Sequence, residues 1–324
     1  MKLYNIHKIL FITLSNIGDV VLTLPVLSAL KDNFPNAAID VVVGPRPEEV
    51  FKKDRRIRRV LVYNKHAGLK DKIGFIKTLR AERYDLAIDM KSSLLPALIG
   101  AKNRSRLFHK NNPGLRHKKL IHLNCLKPFE ITYREQKNVY IDDASRAWVE
   151  KILQDNGIGQ QDIIVGVSPG SRSNLKQWKA HGFADVIRGL LKNPKHKVIL
   201  IGDINEAGLS KEIADSVRQL GLINLTGKTN MSELFALIER FNSLLTCDSA
   251  SMHIASDLGV KVVAIFGPTD PEEYGPVGKM DIVIRKDLKC SPCKKAQCRL
   301  GTHECMEAIS AEEVMAEIEK VINL

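Results

Sequence analysis

Short apolar runs that stop on a polar turn and pass straight into helix-periodic sequence recur along this chain, and the whole series occurs twice. Strands are expected over 8–14, 39–44, 60–63 and 84–90, with helices over 20–34 and 73–82. Pro25 falls in the first turns of the helix expected over 20–34, where proline is tolerated. Residues 104–108 read as a further strand and 109–127 as basic loop. A helix containing 144–153 then ends near Asn156-Gly157-Ile158-Gly159, a linker by composition. The pattern restarts with strands over 163–168, 198–203, 223–225 and 262–266. Helices over 183–191, 207–220 and 232–240 separate them, and an amphipathic helix over 311–322 closes the series. Strands that alternate with helices close as parallel sheets with right-handed crossovers. The expectation is an α/β chain of two doubly wound Rossmann-like domains, 1–158 and 159–324. A length of 324 residues suits two such cores.

Leu244-Leu245-Thr246-Cys247-Asp248-Ser249-Ala250-Ser251-Met252-His253 reads as a buried strand that turns at once into a helix. Asp248 or Ser249 can cap that helix. The small residues Ser249, Ala250 and Ser251 let an outside group approach the free amides of its first turn, and such a helix start binds anions, phosphate above all. The other reading is an ordinary capped turn. The turns at 16–19, 168–171 and 202–206 also follow strand ends, where ligands of doubly wound sheets bind.

Charge divides the chain. Residues 1–158 carry 29 Lys and Arg against 16 Asp and Glu, whereas 159–324 carry 20 against 21. The surplus concentrates in the tract 52–59 and in the run from Lys102 to Lys119. A basic half points to an anionic partner: nucleic acid, an acidic membrane surface or a phosphorylated substrate. Nucleic acid is the weakest of these, since aromatics are only 6% and no binding module is recognisable. No stretch approaches the roughly 18 apolar residues of a spanning helix. Lys2, His7 and Lys8 before Ile9-Leu10-Phe11-Ile12 imitate a signal peptide, but no small-residue cleavage site follows, so a first strand is expected there.

Two nucleotide signatures fail. No Gly-x-Gly-x-x-Gly follows the first strand, where Asn16-Ile17-Gly18-Asp19 stands instead. Gly227-Lys228-Thr229 imitates the end of a P-loop, but the glycine required at 222 is Leu222. Asp19, at a helix start after the first strand, is either a cap or an ionised carboxylate able to take a proton from a hydroxyl nucleophile.

Leu14-Ser15-Asn16-Ile17-Gly18-Asp19-Val20-Val21-Leu22-Thr23-Leu24-Pro25 resembles the opening motif of the bacterial lipopolysaccharide heptosyltransferases. Pro169-Gly170-Ser171 with Lys176-Gln177-Trp178 resembles the start of their second domain. The match continues in order through Thr226-Gly227-Lys228-Thr229, Asp248-Ser249-Ala250-Ser251-Met252-His253 and Phe266-Gly267-Pro268-Thr269-Asp270-Pro271. Ala250 departs from the family's usual glycine, which implies tighter sterics beside the donor phosphates.

The resemblance implies a GT-B-like fold, its two domains facing across a cleft, and an inverting, metal-independent glycosyltransferase without cofactor. It would move L-glycero-D-manno-heptose from ADP-heptose to the lipopolysaccharide inner core, onto a Kdo or heptose of an acidic lipid A–Kdo-type acceptor. It further implies Asp19 as general base and Lys176 as the cation that neutralises the departing diphosphate. Donor contacts would come from Ser168, Gly170, Ser171, Asp248 and the Ser249, Ala250, Ser251, Met252 and His253 turn. Glu206 would meet the ribose, and Thr229 and Met231 the adenine. Such an enzyme is expected in the cytoplasm, peripheral at the anionic inner face of the inner membrane. The alternatives are a nucleotide-sugar 2-epimerase of the same architecture and a non-catalytic nucleotide-sugar-binding homologue. Cys290, Cys293, Cys298 and Cys305 have a spacing compatible with structural zinc, or else with reduced thiols or one local disulfide. Cys125 and Cys247 read as isolated buried thiols.

Overall fold

The computed structural model describes residues 3–105 and 114–323. The chain divides into two compact units, Met1–Tyr140 and Ile141–Leu324. The helix Asp143–Asp155 therefore belongs to the second unit, not to the first as a boundary at 158 required. Its Arg146 Nε lies 2.9 Å from Glu239, and its Glu150 pairs with Arg240. Both partners are on or next to the helix Met231–Glu239. Moving the boundary sharpens the charge division, to 27 Lys and Arg against 12 Asp and Glu in the first unit and 22 against 25 in the second.

In the first unit, β1 (Lys8–Ile12), β2 (Ala38–Val43), β3 (Arg59–Val62), β4 (Leu86–Asp89) and β5 (Asn103–Arg104) form one sheet in the order β3-β2-β1-β4-β5. Residues 106–108 of the strand expected over 104–108 lie outside the described residues. In the second unit, β6 (Ile163–Ser168), β7 (His196–Leu200), β8 (Leu222–Asn224), β9 (Ser243–Cys247), β10 (Lys261–Ile265) and β11 (Ile282–Ile284) follow the order β11-β10-β9-β6-β7-β8. Every pairing is parallel. Each sheet thus reverses direction between its first and fourth strands, β1 beside β4 and β6 beside β9. Those are the topological switch points where ligands of such sheets bind.

Parallel strands are covered on both faces, so they are apolar throughout rather than alternating. Ile9, Leu10 and Phe11 of β1 and Leu244, Leu245 and Cys247 of β9 are all fully buried. The helix Ala311–Ile322 lays Val314, Ile318 and Val321 onto the second core at helical spacing, started by a reciprocal Ser310–Glu313 capping box. The helix expected over 20–34 is instead two, Ile17–Val21 and Leu24–Asn33. Pro25 has no N–H to donate to Val21, and Thr23 turns inward to bond the Val20 carbonyl and Thr13 Oγ1, both at 2.7 Å. The tract read as basic loop contains the helix Lys118–Asn124. Its Lys119 is buried and held 2.6 Å from Glu135.

The basic tract 52–59 is not the free anion-binding face its composition suggests. Arg56 is spent on buried Asp54 at 2.6 Å. Arg58 and Arg59 both reach buried Asp40 at 2.6 Å and Glu82 at 2.9 Å, and Tyr84 adds a 2.6 Å hydrogen bond to Asp40. These residues gather at the amino ends of β2 and β3, away from the switch point. Burial alone would push Asp40 up, but hydrogen bonds from Arg58, Arg59 and Tyr84 hold its carboxyl below the usual range. Hydrogen bonds from Arg58 and then Lys8 pull Glu82 from 4.5 to about 2. A carboxyl depressed in the folded state stabilises fully above its unfolded pKa and loses that contribution as pH falls through the folded value. Thermal melts should therefore show wild type losing stability between pH 4.5 and about 2 more steeply than Glu82→Gln. Parallel pH dependence of the two would remove this cluster from the acid response.

Candidate functional site

The carboxyl edge of the second sheet gathers the residues singled out from sequence. β6 ends at Ser168 and β9 at Cys247, side by side at the switch point, with Ser168 in register with Thr246. Two cross-links join the turns beyond them: Ser168 Oγ donates to Ser251 Oγ at 3.2 Å, and Ser171 Oγ donates to the Asp248 carbonyl at 3.1 Å. Lys176 Nζ stands 2.6 Å from Asp248 Oδ2, with Asp248 nearly buried and Lys176 about one-third exposed. An ammonium has three donors, so one serves Asp248 and two remain for a further anion.

Lys176 is held from several sides. Gln177 Nε2 donates to the Ser171 carbonyl at 3.1 Å, and His303 Nε2 lies 2.7 Å from the Leu175 carbonyl. The indole of buried Trp178 donates to the Ile309 carbonyl at 3.1 Å and meets Phe183 edge-on. A long side chain on a loop pinned this way acts as a placed charge.

Ser249, not Asp248, caps the helix Ala250–Leu258, accepting the Met252 N–H at 3.4 Å. Thr246 Oγ1 steadies the cap at 2.9 Å and bonds the Ser168 carbonyl at 3.1 Å. Ser249 and Ala250 are half-buried, whereas Ser251, Met252 and His253 are buried. The open part of this helix start is thus its N-cap, Ser249, and its first residue, Ala250.

Beyond β7, Asp203 and Glu206 form a reciprocal capping box in which Glu206 Oε2 accepts the Asp203 N–H at 2.9 Å. The Glu206 carboxyl is packed against Gly170 and Gly202, and burial pushes its pKa up. A methyl group added at Gly170 would lie 2.1 Å from Glu206 Cδ and Oε1. Gly170→Ala should destabilise the protein by about 1–3 kcal/mol, the usual cost of overpacking. Adding Glu206→Ala should recover most of that loss in a thermal melt. Failure of the second change to rescue the first would place the clash elsewhere. Thr229 and Met231 follow β8, and among the described residues no hydrogen bond ties them to this cluster.

In the first unit, Asn16 is the N-cap position and Asp19 the third residue of the helix Ile17–Val21, so Asp19 is not the cap. Asn16 Nδ2 donates to Asp19 Oδ2 at 2.8 Å. Asp19 is half-buried, and its Oδ1 takes no hydrogen bond among the described residues. Asp19 therefore stands at the β1–β4 switch point with one carboxylate oxygen fixed and the other open. The neighbouring turn after β4 is built on buried Asp89, which accepts Lys91 N at 2.7 Å, Ser93 N at 2.8 Å and Ser93 Oγ at 2.6 Å. It holds Lys91 half-buried, with its ammonium pKa pushed down chiefly by burial.

Sequence reasoning missed three of these residues. Lys91 occupies, after the fourth strand of its sheet, the position that the Asp248 turn occupies after the fourth strand of the other. Thr246 was legible as the last polar residue of a buried strand. Thr269, inside the quoted motif after β10, has a buried Oγ1 with no hydrogen-bond partner among the described residues.

Cys125 and Cys247 are buried. Burial pushes the thiols of Cys125 and Cys247 up to about 12. Cys290, Cys293, Cys298 and Cys305 are free thiols, and among the described residues no three His, Cys, Asp or Glu side chains converge to hold a metal ion.

Known proteins resemble this chain in sequence and in fold. Glycosyltransferase family 9 (heptosyltransferase) matches residues 115–303. Lipopolysaccharide heptosyltransferase 3 of Escherichia coli K12 is 29% identical over 332 residues, spanning 94% of this chain and 95% of that protein. Among solved structures, a family 9 glycosyltransferase from Veillonella parvula superposes with a TM-score of 0.85 at 24% identity, over 100% of this chain and 99% of that one. The E. coli ADP-heptose lipopolysaccharide heptosyltransferase II superposes with 0.78 at 18% identity, over 98% of both chains. With the family matching more than half of its length, this chain belongs to glycosyltransferase family 9, the heptosyltransferases, and is a glycosyltransferase.

Proposed function

We propose that this enzyme transfers a heptosyl group from ADP-L-glycero-D-manno-heptose to a Kdo or heptose of the lipopolysaccharide inner core, with inversion at the anomeric carbon. The observation that carries the reading is the Lys176–Asp248 pair, fixed at 2.6 Å beside a helix start at the switch point of the second sheet. Displacement at an anomeric carbon passes through an oxocarbenium-like state while negative charge collects on the leaving group. Lys176 and the amides at Ala250 and Ser251 are preorganised to receive that charge. Glu206 meets the ribose hydroxyls, and Thr229 and Met231 border the base.

The acceptor hydroxyl oxygen forms the new bond to the anomeric carbon. The bond to the phosphate oxygen breaks with its electron pair leaving on ADP, and the hydroxyl proton passes to Asp19 Oδ1. The fixed Asn16–Asp19 bond orients that base. Lys91 is suited to an acid group of the acceptor. The donor identity draws support from a relative named for ADP-heptose. A peripheral position on an anionic membrane draws support from the basic first unit, and no helix among the described residues is long and apolar enough to cross a membrane.

Mass spectrometry of a truncated lipid acceptor after incubation with ADP-heptose tests the reading. A product heavier by one heptosyl residue is expected. Conversion of a UDP-sugar to its 2-epimer with no acceptor present would instead identify an epimerase.

A further inference from the structure

The basic tract 52–59 is largely committed to internal carboxylates, so the first unit's charge must act elsewhere if it acts on a partner. The helix Leu69–Ala81 offers the place. Phe75, Ile76 and Leu79 face the core. On the outward side, Leu69 is 75% exposed and Ile73 45% exposed. At 3.6 residues per turn, Leu69, Ile73, Lys70, Lys77 and Arg80 share an arc of about 100° that contains no acidic residue. Lys70 and Lys77 make no ion pair or side-chain hydrogen bond among the described residues.

The next helix, Leu95–Leu98, packs on the same cluster through Leu95. It leaves Leu94 60% and Leu98 51% exposed. Four large apolar side chains are therefore in water on two adjoining helices. The first of these helices follows β3 and the second follows β4, so Leu69 and Leu94 both lie toward the carboxyl edge of the first sheet, the edge that carries Asp19. Scattered single leucines on a surface are ordinary, but a group interleaved with unpaired cations is the composition of an interfacial helix.

We infer that this face, Leu69, Ile73, Leu94 and Leu98 with Lys70 and Lys77, docks on an anionic lipid bilayer, the apolar side chains entering the headgroup boundary and the ammonium groups meeting lipid phosphates. Charge complementarity selects this occupant: a neutral apolar partner would leave the lysines unpaired, whereas lipid phosphates pair with them while the acyl boundary takes the leucines. The inference rests on the peripheral-membrane part of the proposed function. It names the face of the first unit that meets the membrane, and Asp19 stands at the same edge of that unit's sheet as Leu69 and Leu94.

The test is sedimentation of the full-length protein with vesicles of phosphatidylcholine, with and without about one-third phosphatidylglycerol, omitting donor and acceptor. Wild type should bind the anionic vesicles, bind neutral ones weakly, and be released by salt. Lys70→Glu/Lys77→Glu and Leu69→Ser/Ile73→Ser should each lower partitioning by about tenfold or more, as expected from roughly tenfold loss per one or two interfacial groups. ADP affinity in solution should stay at the wild-type value in both, since every residue assigned to the donor lies in the second unit and both pairs lie in the first, and this separates failure here from failure of the transferase reading. Equal vesicle binding by wild type and both variants would overturn the inference. So would a wild-type protein that ignores anionic vesicles, or one that self-associates through this face in vesicle-free buffer and dissociates in the Leu69→Ser/Ile73→Ser variant.

Discussion

Asp19→Ala should lower heptosyl transfer by about 10²–10⁴-fold, the usual contribution of a positioned general base. ADP affinity should stay within about twofold, because every residue assigned to the donor lies in the second unit and Asp19 in the first. The loss belongs in kcat, since in the proposed reaction the missing group takes the proton that moves during bond formation. Little structural cost is expected: Asp19 is half-buried and bonded through one oxygen to Asn16, so its removal opens no core. Asp19→Asn is the sharper variant, since it keeps the shape and the polar contact while removing the basicity. Turnover of Asp19→Asn near the wild-type rate would take Asp19 out of the chemistry and leave it a helix-start residue.

The second large effect is at Lys176. Lys176→Ala should raise the Kd for ADP and also lower kcat, together about 10²–10³-fold in kcat/KM, the range seen when a placed group is removed from developing negative charge. Asp248 complicates the reading, because its carboxylate is nearly buried and loses its partner. Stripping one member from a fully buried pair costs about 3–5 kcal/mol, but Lys176 is about one-third exposed, so water screens the remaining charge and the penalty is smaller. Lys176→Ala/Asp248→Asn separates the two causes. If loss of the stabilising cation is what matters, the double variant regains thermal stability without regaining transfer. Recovery of both together would mean that Lys176 only keeps Asp248 in place.

Much of this architecture was legible because its signals are local. The strand Ile163–Ser168 and the helix Ala311–Ile322 fall where apolar run and periodicity placed them. Elements held by distant contacts were not. The helix Lys118–Asn124 is short and basic, and its buried Lys119 depends on Glu135 and on the ring of Tyr133, residues from a later part of the chain. β11 is only three residues long and becomes a strand by pairing with β10. The helix Asp143–Asp155 was assigned to the wrong unit because the glycines after it look like a linker, while the ion pairs that attach it involve Glu239 and Arg240.

The candidate site divides the same way. Ser168, Ser171, Asp248 and Ser251 were found from turn chemistry at strand ends and Lys176 through the family resemblance, and the structure joins them by hydrogen bonds and one ion pair. Which of Asp248 and Ser249 caps the helix was open in the sequence, because both residue types cap. Backbone geometry decides it, with Ser249 extended at the N-cap and Asp248 turned toward Lys176. The commitment of Arg58 and Arg59 to Asp40 was invisible, since Asp40 lies 18 residues earlier inside an apolar strand.

A crystal structure of the full-length protein with ADP tests the central claim most directly. The account predicts diphosphate oxygens within about 2.7–3.2 Å of Lys176 Nζ and of the amides opening the helix Ala250–Leu258, with the ribose toward Glu206. ADP bound away from the β6–β9 switch point, or bound there with Lys176 still paired to Asp248 alone, would contradict it.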